Sequence, residues 1–359
     1  MMSGESYSFP DRETGRRVWQ ITSAEAISHP SYFLQSSFYP GDEKLFFVSY
    51  RDGAAHLYEK GYPDGELRRL TRAEPIHPFS PALHPSGDEI VFTRGGGLWA
   101  VRLFSLADRA IAQLDGAQLG EPSISADGEW LCAAAKRGSE SGIFVARFDG
   151  GATNFIPFPR TVIHPQFHPL EPEWIEFSGD PAPRMHRVKR DGSALECLLD
   201  HSNDYFVVHE TFLGRTGSLV FTVWPNELCE MDWTTRQVRR IAAHNCWHIA
   251  PNRAGTKVLC DTNHPDRGIE IVDVSTGAIE PVCRSDSSNQ GSQWKTSRYA
   301  LAEDFAAARK GALSWMEMPV DTVYGPQWTH PHPSWSSDES KVAFASDRTG
   351  ITQVYVCEL

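Results

Sequence analysis

The sequence predicts an all-β fold: one seven-bladed β-propeller over residues 1–359, with four-stranded antiparallel blades. Three observations carry that expectation. One unit recurs seven times: an apolar–polar segment, a Pro/Ser/Asp/Gly turn, a hydrophobic strand, a short loop and another strand. Six of the unit starts lie about 40 to 45 residues apart, the length of a four-stranded blade. The seventh unit stops at Leu359 after about three strands, while Arg17-Val18-Trp19-Gln20-Ile21-Thr22 resembles fourth-strand segments such as Leu67-Arg68-Arg69-Leu70-Thr71. The N-terminus is therefore expected to complete the last blade and close the ring, leaving no long open sheet edge.

The units follow in order. Ser37-Phe38-Tyr39-Pro40-Gly41-Asp42 leads into Leu45–Val48, and Pro81–Asp88 leads into Ile90-Val91-Phe92. Pro122–Gly128 precedes Trp130-Leu131-Cys132, and Pro165-Gln166-Phe167-His168-Pro169 precedes Trp174–Phe177. His209-Glu210-Thr211-Phe212 opens the fifth unit and Trp247–Asn252 the sixth. His332–Asp338 opens the seventh. Before it lies a longer interval, residues 284–325, with helix-forming composition at Glu303–Lys310. An insertion of that length beside a site is either a cleft wall or a surface decoration.

Composition narrows the function. No run of 18 apolar residues occurs, so no transmembrane helix is expected. The polar first 17 residues lack the basic start and apolar core of a secretory signal, and a cytoplasmic location is expected. Seven cysteines without a Cys-x-x-Cys pair read as reduced thiols. A formal charge of −12 argues against nucleic acid as a partner, yet leaves room for a small anionic substrate held by local cations.

The chemistry-bearing residues concentrate near the C-terminus, in Gln327-Trp328-Thr329-His330-Pro331-His332-Pro333. Two histidines two residues apart share one face of an extended segment. Neutral imidazole ligates divalent transition metals, so the pair reads as half a metal site or as a hydrogen-bonded structural pair. His209 and His248 open the two preceding units, and residues in that position converge on one face of a propeller channel. Asp261, His264 and Asp266 read as a turn with capping carboxylates. No phosphate-cradling glycine loop and no nucleophile elbow occurs.

Spaced motifs along the whole chain resemble the oligogalacturonate lyase family. They comprise Gln327-x-x-His330-Pro331-His332-Pro333 with Ser336-x-Asp338 and Ala345-Ser346-Asp347, Asp11-x-x-Thr14-Gly15, and His29-x-x-Tyr32-Phe33-x-Gln35. Arg184-Met185 with Asp191-Gly192-Ser193, His209-Glu210, and Cys246-Trp247-His248 before Asn252-x-x-Gly255 complete the set. Two departures stand out: Pro30 replaces an expected arginine, and the loop at Lys136–Ser141 is short. The resemblance implies a divalent metal site, most simply Mn²⁺, formed by His248, Gln327, His330 and His332. It also implies a proton-abstracting His209, a substrate-binding or assisting Arg184, and an anionic uronide substrate of the digalacturonate or trigalacturonate class.

The residue types suit that chemistry. β-Elimination of a 4-linked uronide removes a C5 proton α to a carboxylate, so a cation on the carboxylate lowers the barrier. Neutral His and Gln ligands leave the metal's charge uncompensated, which favours an anionic substrate. The readings set against this one are the same chemistry on another uronic-acid oligosaccharide, and a non-catalytic propeller serving as a protein-binding platform.

Overall fold

The computed structural model describes residues 5–72, 74–202, 204–263, 265–289 and 328–359. Gln327, His264 and most of the 284–325 insertion lie outside the described residues. Seven antiparallel sheets follow one another along the chain. Blade I runs from Ser28–His29 to Leu67–Arg69, blade II from Ala82–Leu83 to Asp108–Gln113, and blade III from Ala117–Ile124 to Thr153–Phe158. Blade IV runs from Thr161–Phe167 to Glu196–Cys197, blade V from Val207–Phe212 to Val238–Ala242, and blade VI from Ile249–Pro251 to Ile279–Cys283. Blade VII holds Ser334–Trp335, Lys341–Ser346 and Gln353–Glu358.

The ring closes as the sequence predicts. Residues Arg17–Gln20 pair antiparallel with Gln353–Glu358, Val18 opposite Cys357 and Gln20 opposite Tyr355. A further strand, Tyr7–Pro10, lies outside them, making blade VII five-stranded. The hairpin joining the two N-terminal strands turns on Asp11: its Oδ1 accepts the backbone N–H groups of Glu13 and Thr14. The same device recurs at Asp232 and Asp273, each accepting two N–H groups of the Thr or Ser residues that follow. Asp11-x-x-Thr14-Gly15 is thus blade punctuation, an aspartate turn of the kind short polar side chains favour.

In each blade the turn before the second strand is closed by a backbone N–H that lies just past the inner strand, or in blade I past the loop that follows it, donating to a carbonyl at the start of the second strand. Those donors are Tyr39, His84, Ser125, His168, Leu213, Asn252 and Ser336. Ser125-Ala126-Asp127-Gly128 shows why the turn needs its residues: Gly128 takes φ +76°, and Asp127 accepts from Glu129 N–H. Between blades, the sheet faces bury apolar cores. Val91, Leu119, Leu131 and Phe144 pack between blades II and III, and Leu213, Val220, Val258 and Val272 between V and VI.

Candidate metal and catalytic site

Those seven turn-closing donors give a common ruler. Four residues before each of the last four lie His164, His209, His248 and His332, one per blade from IV to VII. Blades II and III carry Ser80 and Glu121 there. Two of the histidines sit on irregularities in the ladder. The pairing shifts between Ile163 and Gln166 and again between Val208 and Thr211, and His164 and His209 both take φ +54°. His332 takes φ +44°. The left-handed region is uncommon for a residue with a Cβ, and bulges of this kind re-aim a side chain. Here they turn imidazoles into the channel.

The four rings form a chain. Centroids lie 6.2 Å apart for His164–His209, 4.7 Å for His209–His248 and 4.0 Å for His248–His332. His330 joins at 5.4 Å from His248 and 6.0 Å from His332. One potential ligand atom from each of His248, His330 and His332 lies within 4.8 Å of the other two. Burial holds His209, His248 and His332 well below the ordinary imidazole range, each reinforced by neighbouring histidines. They are neutral at pH 7, the protonation state a metal ligand requires.

Asp261 organises that cluster, and the reading of it as a turn cap is corrected. It ends the strand Lys257–Asp261, is fully buried, and accepts from His248 N–H at 2.7 Å and His332 N–H at 3.3 Å. Its other contact, 2.8 Å to His248 Nδ1, fixes the imidazole with Nε2 turned to the cluster. Burial pushes its carboxyl up to about 7. The local pattern Asp-x-x-His-x-Asp suggested a turn because the true partners lie across the strand and in the next blade. Asp266 does cap locally, accepting from Gly268 N–H and Ser285 Oγ.

A loop from blade I covers the imidazoles. After the two-residue strand Ser28–His29 the chain carries Tyr32 and Phe33 inward, where both are buried. Tyr32 lies 5.1 Å from His332 and 5.5 Å from His164, while Phe33 meets His209 edge-on at 5.2 Å. The Tyr32 hydroxyl hydrogen-bonds His164 Nε2 at 2.9 Å. His164 Nδ1 is buried without a partner among the described residues. An unpaired buried N–H is rarer than an unpaired acceptor, which favours the tautomer with hydrogen on Nε2. Nε2–H then donates to Tyr32, and the phenol hydrogen remains free for another acceptor.

Arg184 lies beside this group rather than on the surface. Its side chain is buried, with Nε 3.0 Å from Glu210 and Nη1 3.4 Å from Asp180. Burial alone would raise the Glu210 carboxyl, but the guanidinium and the Ser178 hydroxyl hold it down at about 2. Buried Glu176, repelled by Glu210, is pushed well above the carboxylate range and is neutral. Of the residues singled out from sequence, His209, His248, His330 and His332 come together, with Arg184 within electrostatic reach of His209. Gln327 lies outside the described residues. His164 has no place among the residues the sequence singles out, Tyr32 stands there only within the His29-x-x-Tyr32-Phe33-x-Gln35 motif, and Asp261 reads there as a turn cap. The repeat ruler marks His164, one residue before Pro165, where the fourth sequence unit opens.

Fold and site together define a seven-bladed propeller in which blades VI and VII bring together buried imidazoles able to hold a metal ion. The chain is 22% identical over its whole length to an oligogalacturonate lyase of Dickeya dadantii, covering 97% of it. An oligogalacturonide lyase of Pectobacterium atrosepticum is 21% identical over 98% of the chain and 96% of its own. A solved oligogalacturonate lyase in complex with manganese superposes with TM-score 0.82 at 20% identity, over 100% of this chain and 98% of that one. A Vibrio parahaemolyticus oligogalacturonate lyase gives the same score at 17% identity. No family profile matches the chain. The correspondence with these oligogalacturonate lyases runs the full length of the chain, in sequence and in fold.

Proposed function

We propose that the protein is a metal-dependent lyase that cleaves short oligogalacturonides by β-elimination, with digalacturonate and trigalacturonate as the substrate class. The observation that carries this reading is the row His164–His209–His248–His332 with His330 beside it, in which three metal-type ligands, His248, His330 and His332, adjoin the separate neutral imidazole of His209. His248, His330 and His332, with Gln327, would hold the metal. A divalent ion there, manganese being the natural assignment, supplies the positive charge that neutralises the uronate carboxylate.

His209 is the base. Its neutrality at pH 7 leaves a lone pair for the C5 proton, and the arriving substrate anion raises its basicity. As the C5–H bond breaks, its electrons form the C4=C5 double bond and the C4–O bond leaves with its own pair. Tyr32 donates its phenol hydrogen to that departing oxygen, and the His164 Nε2–H stabilises the phenolate until the proton is restored from water. Arg184 acts as a positioning residue through its ion pair with Glu210, the neighbour of His209. A cleft of about 660 Å³ between blades III and IV begins at Asp180, which contacts Arg184, and is lined by Arg160 and Lys136. It offers space for the remainder of the sugar chain.

The test is incubation of Mn²⁺-loaded protein with digalacturonate and trigalacturonate, following the ultraviolet absorbance of the unsaturated product. Absence of both product and bound metal would overturn the reading. Bound metal without product would redirect it to another uronide. Tyr32→Phe is expected to lose at least about 100-fold on digalacturonate, but little on a uronide bearing fluoride at C4, which leaves without a proton. Equal losses on both substrates would remove Tyr32 from the acid's role.

A further inference from the structure

We propose that blade VI carries a second metal site, separate from the channel cluster, in which His244, Cys246, Cys260 and Glu270 hold a zinc-type ion. Cys260 and Glu270 stand directly opposite one another on the neighbouring strands Lys257–Asp261 and Ile269–Asp273. Paired residues project from the same sheet face, with Cβ atoms about 4.5–5.5 Å apart. His244 and Cys246 reach that face from the connection leaving Val238–Ala242. His244 Nε2 lies 2.5 Å from Glu270 Oε2. One ligand atom from each of His244, Cys260 and Glu270 lies within 4.8 Å of the other two. Cys246 and Cys260 belong to one buried cluster of blades V and VI.

All four side chains are buried, on the edge of the apolar wall made by Leu213, Val220, Val258 and Val272. A carboxylate in such a wall needs a cation. Among the described residues no lysine or arginine pairs with Glu270, and His244 is its only partner. A metal between His244 and Glu270 meets that need and recruits both thiols. Tetrahedral zinc, at about 2.0–2.3 Å from its ligands, spaces the donors about 3.3–3.8 Å apart. The His244–Glu270 contact would therefore open by about 1 Å, while the other separations close.

The donor set differs from that of the channel in kind. One nitrogen, two sulfurs and one carboxylate oxygen form a closed, soft-leaning set of the structural zinc type. Among the described residues the channel cluster offers imidazoles and no thiol. Adjacent strand residues face opposite ways, so one strand turns Asp261 to the channel histidines and Cys260 to this second site. An ion there would brace the strand that orients His248. The proposal does not rest on the lyase reading, since it concerns different ligands and a different face.

Cobalt distinguishes the two sites. Chelated protein reloaded with Co²⁺ is expected to show an intense near-ultraviolet sulfur-to-cobalt band. The band should persist in the His330→Ala/His332→Ala variant and vanish in Cys246→Ser/Cys260→Ser. Elemental analysis of protein produced with zinc and manganese present should give about two metal equivalents per chain, falling to about one in either variant. Wild-type protein without the band would overturn the proposal, and no variant need fold for that result to count. So would a band that survives loss of both thiols. A thiol count of five rather than seven in denatured, unreduced protein would show a disulfide instead.

Discussion

Left-handed backbone at histidine is the residue-scale signature of this molecule. His164, His209 and His332 hold φ between 44° and 54°, a conformation with a cost that packing elsewhere must offset. The gain is direction: regular strands would alternate these side chains between blade cores, and the bulges send them to one place. His209→Ala should abolish product formation while metal analysis still finds the channel ion, whereas His330→Ala should lose both. Near-normal turnover in His209→Ala would strike it out as the base. Asp261→Asn keeps the shape but loses the acceptor that fixes the His248 tautomer. Metal affinity by competitive chelation should fall about 10- to 100-fold, the usual cost of such a loss. An unchanged affinity would make Asp261 a fold residue only.

Strands and turns were more legible in the sequence than the side chains they aim. Seven blades were countable because each inner strand must end in a turn with its own residue requirements, as at Ser125–Gly128, and those requirements repeat. His330 and His332 were legible because both partners lie within one extended segment. Asp261 was not, since its ligand-orienting role exists only across strands, and local spacing pointed to a turn. Tyr32 was hidden for a similar reason: blade I has given up most of its inner strand to a loop, so the repeat there is broken. At the ring's seam, residues Arg17–Gln20 bury Val18 completely, and Ile21 just beyond is equally buried. Removing residues 1–22 forfeits about 4–6 kcal/mol of side-chain burial, comparable to the whole stability of many domains. It also exposes the hydrogen-bonding edge of Gln353–Glu358. The truncated protein should aggregate or melt at least about 10 °C lower; a wild-type melt would show that the closure is dispensable.

For the molecule as a whole, the channel is a store of histidines kept from protonation. Burial lowers His29 and His164 to about 4 and His77 to about 3, with His209, His248 and His332 displaced the same way. An unfolded chain protonates each near its ordinary value of about 6.5. Folded-state values are therefore depressed, so their contribution to stability is full above that value and is lost as pH falls toward 4 and 3. Asp261 opposes them: its value, raised from 3.8 to about 7, makes the folded state take up one proton across that window. These six histidines outnumber the two raised carboxylates, Asp261 and Glu176, so the unfolded state binds more protons between pH 6 and 5. Stability should then fall by at least roughly 2 kcal/mol per pH unit across that interval. Thermal melts of metal-free protein at pH 7.5, 6.5, 5.5 and 5.0 read this directly, and a flat profile would contradict it. His29→Gln and His77→Gln lie outside the proposed ligand set, so each should flatten the profile by about one proton whatever becomes of activity. If neither does, the acid sensitivity arises from the ligand histidines, and adding Mn²⁺ at each pH should then shift the whole curve.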